Sequence, residues 1–279
     1  RSTFDIELEN GVDEYYVGSE TSPFVDSLWL KDNLFRSDLH ILNTSWQALY
    51  DTSTLTLYQS FLSSRIPGSH FLDLEQYSVP TSHKPLAFSS VEEYSQALGR
   101  AGITNDSNIV LYDFNGLLGS AYAYWLLTAV GVNPRSIRIL RGGWISWVRN
   151  LNNQIDNESH KPSEEKQFIP NTDIGKFMIQ DQAMFDLGYA YQICMDNGFI
   201  DQRLPIIIDT RSVRRFRGEI EEPADFVALH GGHIPGSINI PYQQLVTTND
   251  TGVGTVLKAV PDLAKMFEAV GINKEMIEN

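Results

Sequence analysis

Apolar residues in this 279-residue chain gather in runs of about four, spaced by amphipathic stretches of helical length. The runs are Leu39-His40-Ile41-Leu42, Ile109-Val110-Leu111-Tyr112, Ile137 to Leu140 and Ile206-Ile207-Ile208. A short continuous run rich in β-branched residues predicts a strand buried on both faces, as in a parallel sheet. Between the runs, helical signals recur. Ser89-Ser90 precede a helix over Val91 to Gly99, with Glu92 and Glu93 in its first turn and Gly99 as its stop. Further helices are predicted over Ser120 to Val130, Ile145 to Leu151 after Gly142-Gly143-Trp144, Ile179 to Asn197 closed by Gly198, and Pro261 to Val270. Strands alternating with helices predict right-handed parallel βαβ units and an α/β fold. Residues 152–176 are polar and without periodicity and read as a linker, and Thr247 to Gly254 as a Gly-containing loop.

A long repeat lies beneath this pattern. Ile66-Pro67-Gly68-Ser69 recurs as Ile234-Pro235-Gly236-Ser237, Asn43 matches Asp209, and Ala101-Gly102-Ile103 matches Val270-Gly271-Ile272, at offsets of 168, 166 and 169. Offsets of that size signal a duplicated domain rather than a solenoid. The division is an acidic arm over 1–27, domain 1 over 28–151, the linker over 152–176 and domain 2 over 177–279. By the last offset Asn279 corresponds to Val110, so what domain 1 carries after Val110 has no counterpart in domain 2. A parallel sheet short of strands leaves backbone groups unpaired. The expectation is that the chain continues past Asn279 or that a partner covers the gap.

Composition narrows the classes. A hydrophobic fraction of 42% with 11% aromatics suffices for packed cores. No apolar run is long enough to span a bilayer, the longest being Ala121 to Val130. A net charge of -14 argues against nucleic acid and anionic membranes. One cysteine excludes an internal disulfide framework and fits a reducing compartment, mitochondrial or cytoplasmic. Arg1 in place of Met suggests that an N-terminal piece has been removed. The acidic arm reads as a solvated tail, or as a docking arm anchored by Tyr15, Tyr16 and Phe24 on a protein partner. Six histidines and one cysteine show no zinc-type spacing, and Gly142-Gly143-Trp144 lacks the Lys-Ser/Thr of a phosphate loop, so neither metal nor cofactor is expected.

The candidate chemistry lies between Ile206 and Pro241. Asp209 ends a predicted strand, where α/β sheets build their sites. Four arginines, Arg211, Arg214, Arg215 and Arg217, follow within one short segment. A local cationic cluster on an acidic protein suggests a small anionic ligand; the plainer reading is an exposed Arg-rich helical turn.

The segment resembles the second domain of the two-domain rhodanese family, the thiosulfate and 3-mercaptopyruvate sulfurtransferases. The matching residues are Asp209-x-Arg211-Ser212, Arg215-Phe216-x-Gly218, Glu222-Pro223 and Gly232-His233-Ile234-Pro235-Gly236-Ser237-x-Asn239-x-Pro241, and the similarity runs from about Leu28 to the C-terminus. The resemblance implies two tandem rhodanese-like domains, each a central parallel sheet flanked by helices, the second incomplete. It implies transfer of sulfane sulfur from an anionic donor to a thiol or cyanide-like acceptor through a Cys persulfide, held in a loop of converging N–H groups. That Cys is expected just beyond Asn279, so no catalytic residue is expected within the 279 and a polypeptide ending there is expected to be inactive. Asp113 stands at the equivalent place in domain 1 and cannot carry sulfur. Cys194, in a predicted apolar-striped helix, reads as inert core. Arg215 is the expected donor-binding residue, helped by Arg211 or Arg217, with Asp209, His233 and Gly218 supporting the site. Asn43 and Arg65 depart from the usual Asp and His of the domain 1 motif. Ala224 stands where mercaptopyruvate enzymes typically carry a second Arg, which argues against that donor and leaves thiosulfate open. The alternative reading is a catalytically silent rhodanese fold acting as a structural or docking subunit, its partner meeting residues 1–26 or the open edge of domain 2.

Overall fold

The computed structural model describes residues 22–46, 56–74, 91–114, 117–149, 154–158, 164–170, 206–220, 231–248 and 255–273. The predicted helix over Ile179 to Asn197, Cys194, Glu222-Pro223, Ala224 and the arm up to residue 21 lie outside these residues.

Domain 1 is built on a parallel five-stranded sheet in the order β1-β5-β4-β2-β3. The strands are β1 (Phe24–Val25), β2 (Leu39–Asn43), β3 (His70–Phe71), β4 (Asn108–Tyr112) and β5 (Ile137–Leu140). β4 is central, pairing with β2 along its whole length and with β5 on its other side. Its apolar run is continuous because both faces are covered. Ile109 and Leu111 join one core cluster with Tyr94, Leu98, Leu126 and Phe168, while Val110 and Tyr112 join the other with Val25, Leu30, Leu140 and Trp147. The covering helices are α1 (Ser27–Asn33), α2 (Leu57–Ser63), α3 (Val91–Arg100), α4 (Leu118–Val130) and α5 (Gly143–Arg149). α2 begins with a capping box. Thr56 Oγ accepts from the Gln59 N–H at 3.1 Å and the Gln59 side chain accepts from the Thr56 N–H at 2.9 Å.

Two boundaries read from composition are corrected. Phe24–Val25 fell within the acidic arm, yet they form an edge strand on β5, with Val25 fully buried and Phe24 packed on the core. Phe24 therefore anchors on its own domain. The described parts of the polar stretch, 154–158 and 164–170, lie on domain 1 as a strap. Trp147 Nε1 donates to the Gln154 carbonyl at 2.7 Å, Asn105 exchanges two hydrogen bonds with Ile169, and Phe168 is buried in the core. Hydrogen bonding and one buried aromatic outweigh the polarity of the surrounding residues.

Arg65 fastens this strap. Its backbone pairs both ways with Asp156, at 3.0 and 2.9 Å. Its side chain, 2% exposed, holds the Asp156 carboxylate at 2.9 Å, donates to the Leu62 and Glu158 carbonyls and lies over the Phe61 ring.

Domain 2 shows β6 (Ile208–Asp209), α6 (Val213–Phe216), β7 (Ile238–Asn239), α7 (Tyr242–Leu245), β8 (Val246–Thr248), β9 (Thr255–Leu257) and α8 (Val260–Ala269). β6 and β7 pair in parallel, Ile208 with Ile238 and Asp209 with Asn239. This register mirrors Leu42 with His70 and Asn43 with Phe71 in domain 1. The two Ile-Pro-Gly-Ser turns also close alike, Ser69 N–H on Ile66 O and Ser237 N–H on Ile234 O, with Gly68 and Gly236 at φ of 72° and 81°. Two expectations fail here. Ile208, read as buried, is 37% exposed, because β6 has β7 as its one strand neighbour among the described residues. The segment read as a loop from Thr247 opens as strand, since β8 and β9 form an antiparallel pair.

Candidate functional site

In domain 2 the strand-end carboxylate is consumed locally. Asp209 Oδ1 accepts from the backbone N–H and Nε of Arg211, at 2.9 and 3.0 Å, and Oδ2 accepts from Nη2 at 2.6 Å. Burial pushes the Asp209 carboxyl up, but the Arg211 hydrogen bonds and the charges of Arg211 and Arg215 together hold it below the usual carboxylate range. The same Arg211 Nη2 donates to the Gly232 carbonyl at 2.6 Å, tying the strand end to the loop that carries His233. Arg211 thus braces the strand end against the His233 loop.

The chain then turns into α6. Ser212 caps it, its Oγ accepting from the Arg215 N–H at 3.4 Å. His233 pins the far end, its Nδ1 2.8 Å from the Phe216 carbonyl and its ring stacked on Phe216 at 3.8 Å. Gly218, at φ 73°, lies against Gly231 and Gly232, where an added Cβ would come within 3.1 Å of the Gly232 nitrogen. His233 and Gly218 therefore support the turn. Arg217 is exposed, with Nη1 3.8 Å from Glu219, and Arg214 likewise faces Glu219 at 3.8 Å. Arg215 is half-buried on the same turn, and its charge reaches Asp209. Asn239 had no assigned role beyond the motif. Its Nδ2 donates to the carbonyls of both Asp209 and Arg211 at 2.9 Å. A polar residue ending a strand beside a charged strand end was the signal for it.

The equivalent end of the sheet in domain 1 is closed. Asp113 follows β4 and is 1% exposed. Its Oδ2 accepts from both the backbone N–H and the Oγ of Ser120, each at 2.9 Å, within the first turn of α4. The carboxylate caps a helix that Leu117, at φ 72°, leaves without a side-chain cap. Asn43 and Ser45 replace Asp209 and Arg211, with Ser45 N–H on Asn43 Oδ1 at 3.0 Å. Burial pushes the Tyr112 hydroxyl up, against the opposing hydrogen bonds from Ser69, Asn43 and Ile66. Among the described residues no cluster of His, Cys, Asp or Glu is placed to hold a metal ion.

The family model described as a rhodanese-like domain matches residues 28–150. Bovine thiosulfate sulfurtransferase is 26% identical over 91% of this chain and 79% of its own length. The 3-mercaptopyruvate sulfurtransferase of Escherichia coli K12 is 26% identical over 91% and 81%. Among solved structures, SseA from E. coli, titled a 3-mercaptopyruvate sulfotransferase, superposes with a TM-score of 0.69 at 24% identity, covering 90% of this chain and 84% of the other. The sub-stoichiometric sulfur transferase subunit of yeast mitochondrial complex I superposes with a TM-score of 0.74 at 20% identity, covering 89% and 81%.

Proposed function

We propose, for a chain with the rhodanese fold and with sulfurtransferase relatives along most of its length, that it moves sulfane sulfur from an anionic donor, domain 2 binding the donor through Arg215. The observation that carries this is the placement of Arg215. It sits half-buried one short turn past a strand end, while Arg211 is committed to Asp209 and Gly232. A guanidinium so placed suits the sulfonate oxygens of thiosulfate by bidentate, charge-assisted contact.

In the proposed chemistry a cysteine thiolate attacks the outer sulfur of thiosulfate. The S–S bond of the donor breaks, sulfite leaves with the electron pair, and the enzyme holds Cys–S–S⁻. A nucleophilic acceptor such as cyanide then takes the outer sulfur and restores the thiolate. The repeat offset of 169 carries Asp113 past residue 279, so none of the 279 residues is its domain 2 counterpart. In domain 1 that position holds a carboxylate, which cannot store sulfur. The test is thiosulfate–cyanide turnover with Arg215→Ala in a chain extended to carry the expected cysteine. Loss of one charge-assisted contact is expected to lower kcat/KM roughly 10- to 150-fold, about 1.5–3 kcal/mol. Unchanged kcat/KM for both thiosulfate and mercaptopyruvate removes Arg215 from the site.

The second reading is a silent rhodanese-fold subunit of a larger assembly. The altered domain 1 motif favours it, with Asn43 and a sealed Arg65 where the family usually has Asp and His. The yeast subunit named above belongs to such an assembly. Mass spectrometry after thiosulfate treatment of a chain extended to its natural stop codon separates the two, since only the enzyme gains a persulfide sulfur.

A further inference from the structure

We infer that Asn239 is a positioning residue for the donor anion, setting the backbone that presents Arg215; the inference rests on the reading of Arg215 given above. Asn239 ends β7 opposite Asp209, and its Nδ2 bridges the Asp209 and Arg211 carbonyls, both at 2.9 Å. These carbonyls flank Thr210, where the chain leaves the strand. Ser212, the cap of α6, comes next, and Arg215 lies in that helix. The amide therefore fixes the entry of the Arg215 turn, while His233 and Gly218 fix its exit.

Domain 1 shows that this amide is not needed to hold the strands. There the same register pairs Asn43 with Phe71, and the Leu72 N–H reaches the Asn43 carbonyl at 2.9 Å, as the Ile240 N–H reaches that of Asp209 at 3.0 Å. Phe71 instead packs on Tyr58 and Phe61, with ring centroids 5.5 and 5.6 Å away. Ser45 stands in the place of Arg211, so the brace and the amide are absent together from the half that lacks the arginine turn. One strand pair thus forms with either residue. What the amide adds in domain 2 is a second pair of hydrogen bonds whose acceptors both belong to the path toward Arg215. A misplacement of a binding group by about 1 Å weakens its contact far more than it disturbs the fold.

The experiment uses the full chain and sodium thiosulfate as the probe. The parent, Asn239→Phe and Arg215→Ala are titrated calorimetrically, and the arginine Nε–Hε resonances are followed in ¹⁵N spectra. In the parent, the resonance that Arg215→Ala deletes shifts on adding thiosulfate. Asn239→Phe, which installs the side chain that domain 1 uses, is expected to weaken thiosulfate about 10- to 30-fold through loss of two hydrogen bonds, and to blunt that shift at matched concentration. Its urea midpoint stays near that of the parent. Asn239→Phe that binds and shifts as the parent does, while Arg215→Ala has lost binding, overturns the positioning role alone. Thiosulfate affinity unchanged in Arg215→Ala, or absent from the parent, overturns the Arg215 reading and this inference with it. If Asn239→Phe does not fold, Asn239→Ala carries the same test with the same outcomes.

Discussion

Removing the Asp156 carboxylate should destabilise domain 1 more than removing the Arg65 charge, although the two form one ion pair. Arg65 is 2% exposed and carries a full positive charge. In Asp156→Ala its guanidinium keeps the Leu62 and Glu158 carbonyls and the Phe61 ring but loses its neutralising charge. An uncompensated buried charge costs about 3–5 kcal/mol. In Arg65→Met the methylene stem is largely replaced, and the Asp156 side chain, 26% exposed, can take up water. That loss is about 1–2 kcal/mol, close to an ordinary charge-assisted hydrogen bond. All five tryptophans lie between Trp29 and Trp147, so tryptophan fluorescence reports on domain 1 alone. With a urea slope of about 2 kcal/mol/M, Asp156→Ala should lower the midpoint by about 1.5–2.5 M and Arg65→Met by about 0.5–1 M. The double variant should resemble Arg65→Met rather than the sum. A loss in Asp156→Ala no larger than in Arg65→Met would refute the view that the strap neutralises a sealed cation.

Three further outcomes are expected. Gly99→Ala should cost about 1–3 kcal/mol in the same fluorescence assay, because the new Cβ runs into the Lys166 carbonyl of the strap; a neutral substitution would mean that the strap does not lie on α3. Asp209 is held below its ordinary pKa, so its contribution to stability is full above the unfolded value of about 3.9 and is lost as pH falls through the folded value; the stability gap between parent and Asp209→Asn should therefore be flat near neutral pH and shrink as pH falls below about 3.9, and a gap that stays constant there contradicts the ion pair with Arg211. A polypeptide of these 279 residues should turn over thiosulfate at the background rate only and acquire no persulfide; turnover that vanishes in Cys194→Ser would assign the sulfur to Cys194 instead.

The parts of the fold legible in the sequence are those fixed by local pattern. The Asn108 to Tyr112 and Ile137 to Leu140 strands appear at their predicted bounds because each is mostly apolar and lies in the middle of a covered sheet. The positions of the arginine turn and of the Ile-Pro-Gly-Ser turns were equally readable, since residues at fixed offsets carry them. What escaped depends on distant partners. β1 has two residues and exists because Ile139 and Arg141 donate to the Pro23 and Val25 carbonyls. The strap is polar in composition and is held by Arg65, 91 positions before Asp156. The Thr56-x-x-Gln59 box was a local signal and could have announced α2. The tie from Arg211 to the Gly232 carbonyl was not readable, because it joins residues 21 positions apart.

The duplicated halves place different chemistry on the same scaffold positions, and the difference has a direction. At the residue before each Ile-Pro-Gly-Ser turn, domain 1 has a sealed Arg65 bound to its own strap, and domain 2 has an exposed His233 stacked on Phe216. At the strand end, domain 1 has a neutral Asn43 that accepts one backbone N–H, and domain 2 has an ionised Asp209 holding a cation. Beyond β4, domain 1 seals a carboxylate onto the first turn of α4. Sealing a charge against a fixed partner stabilises a fold but removes that charge from any ligand. In domain 2 the half-buried Arg215 is carried on a braced turn, so the proposed contact with an anion would need little reorganisation of the backbone. Domain 1 is therefore organised for stability, and the braced arginine turn of domain 2 for the proposed contact with a donor. Exchanging the residues of one half into the other should transfer these properties in that direction, with Asp209→Asn and Arg211→Ser together abolishing the brace while leaving the β6–β7 pair that Asn43 and Phe71 already form without it.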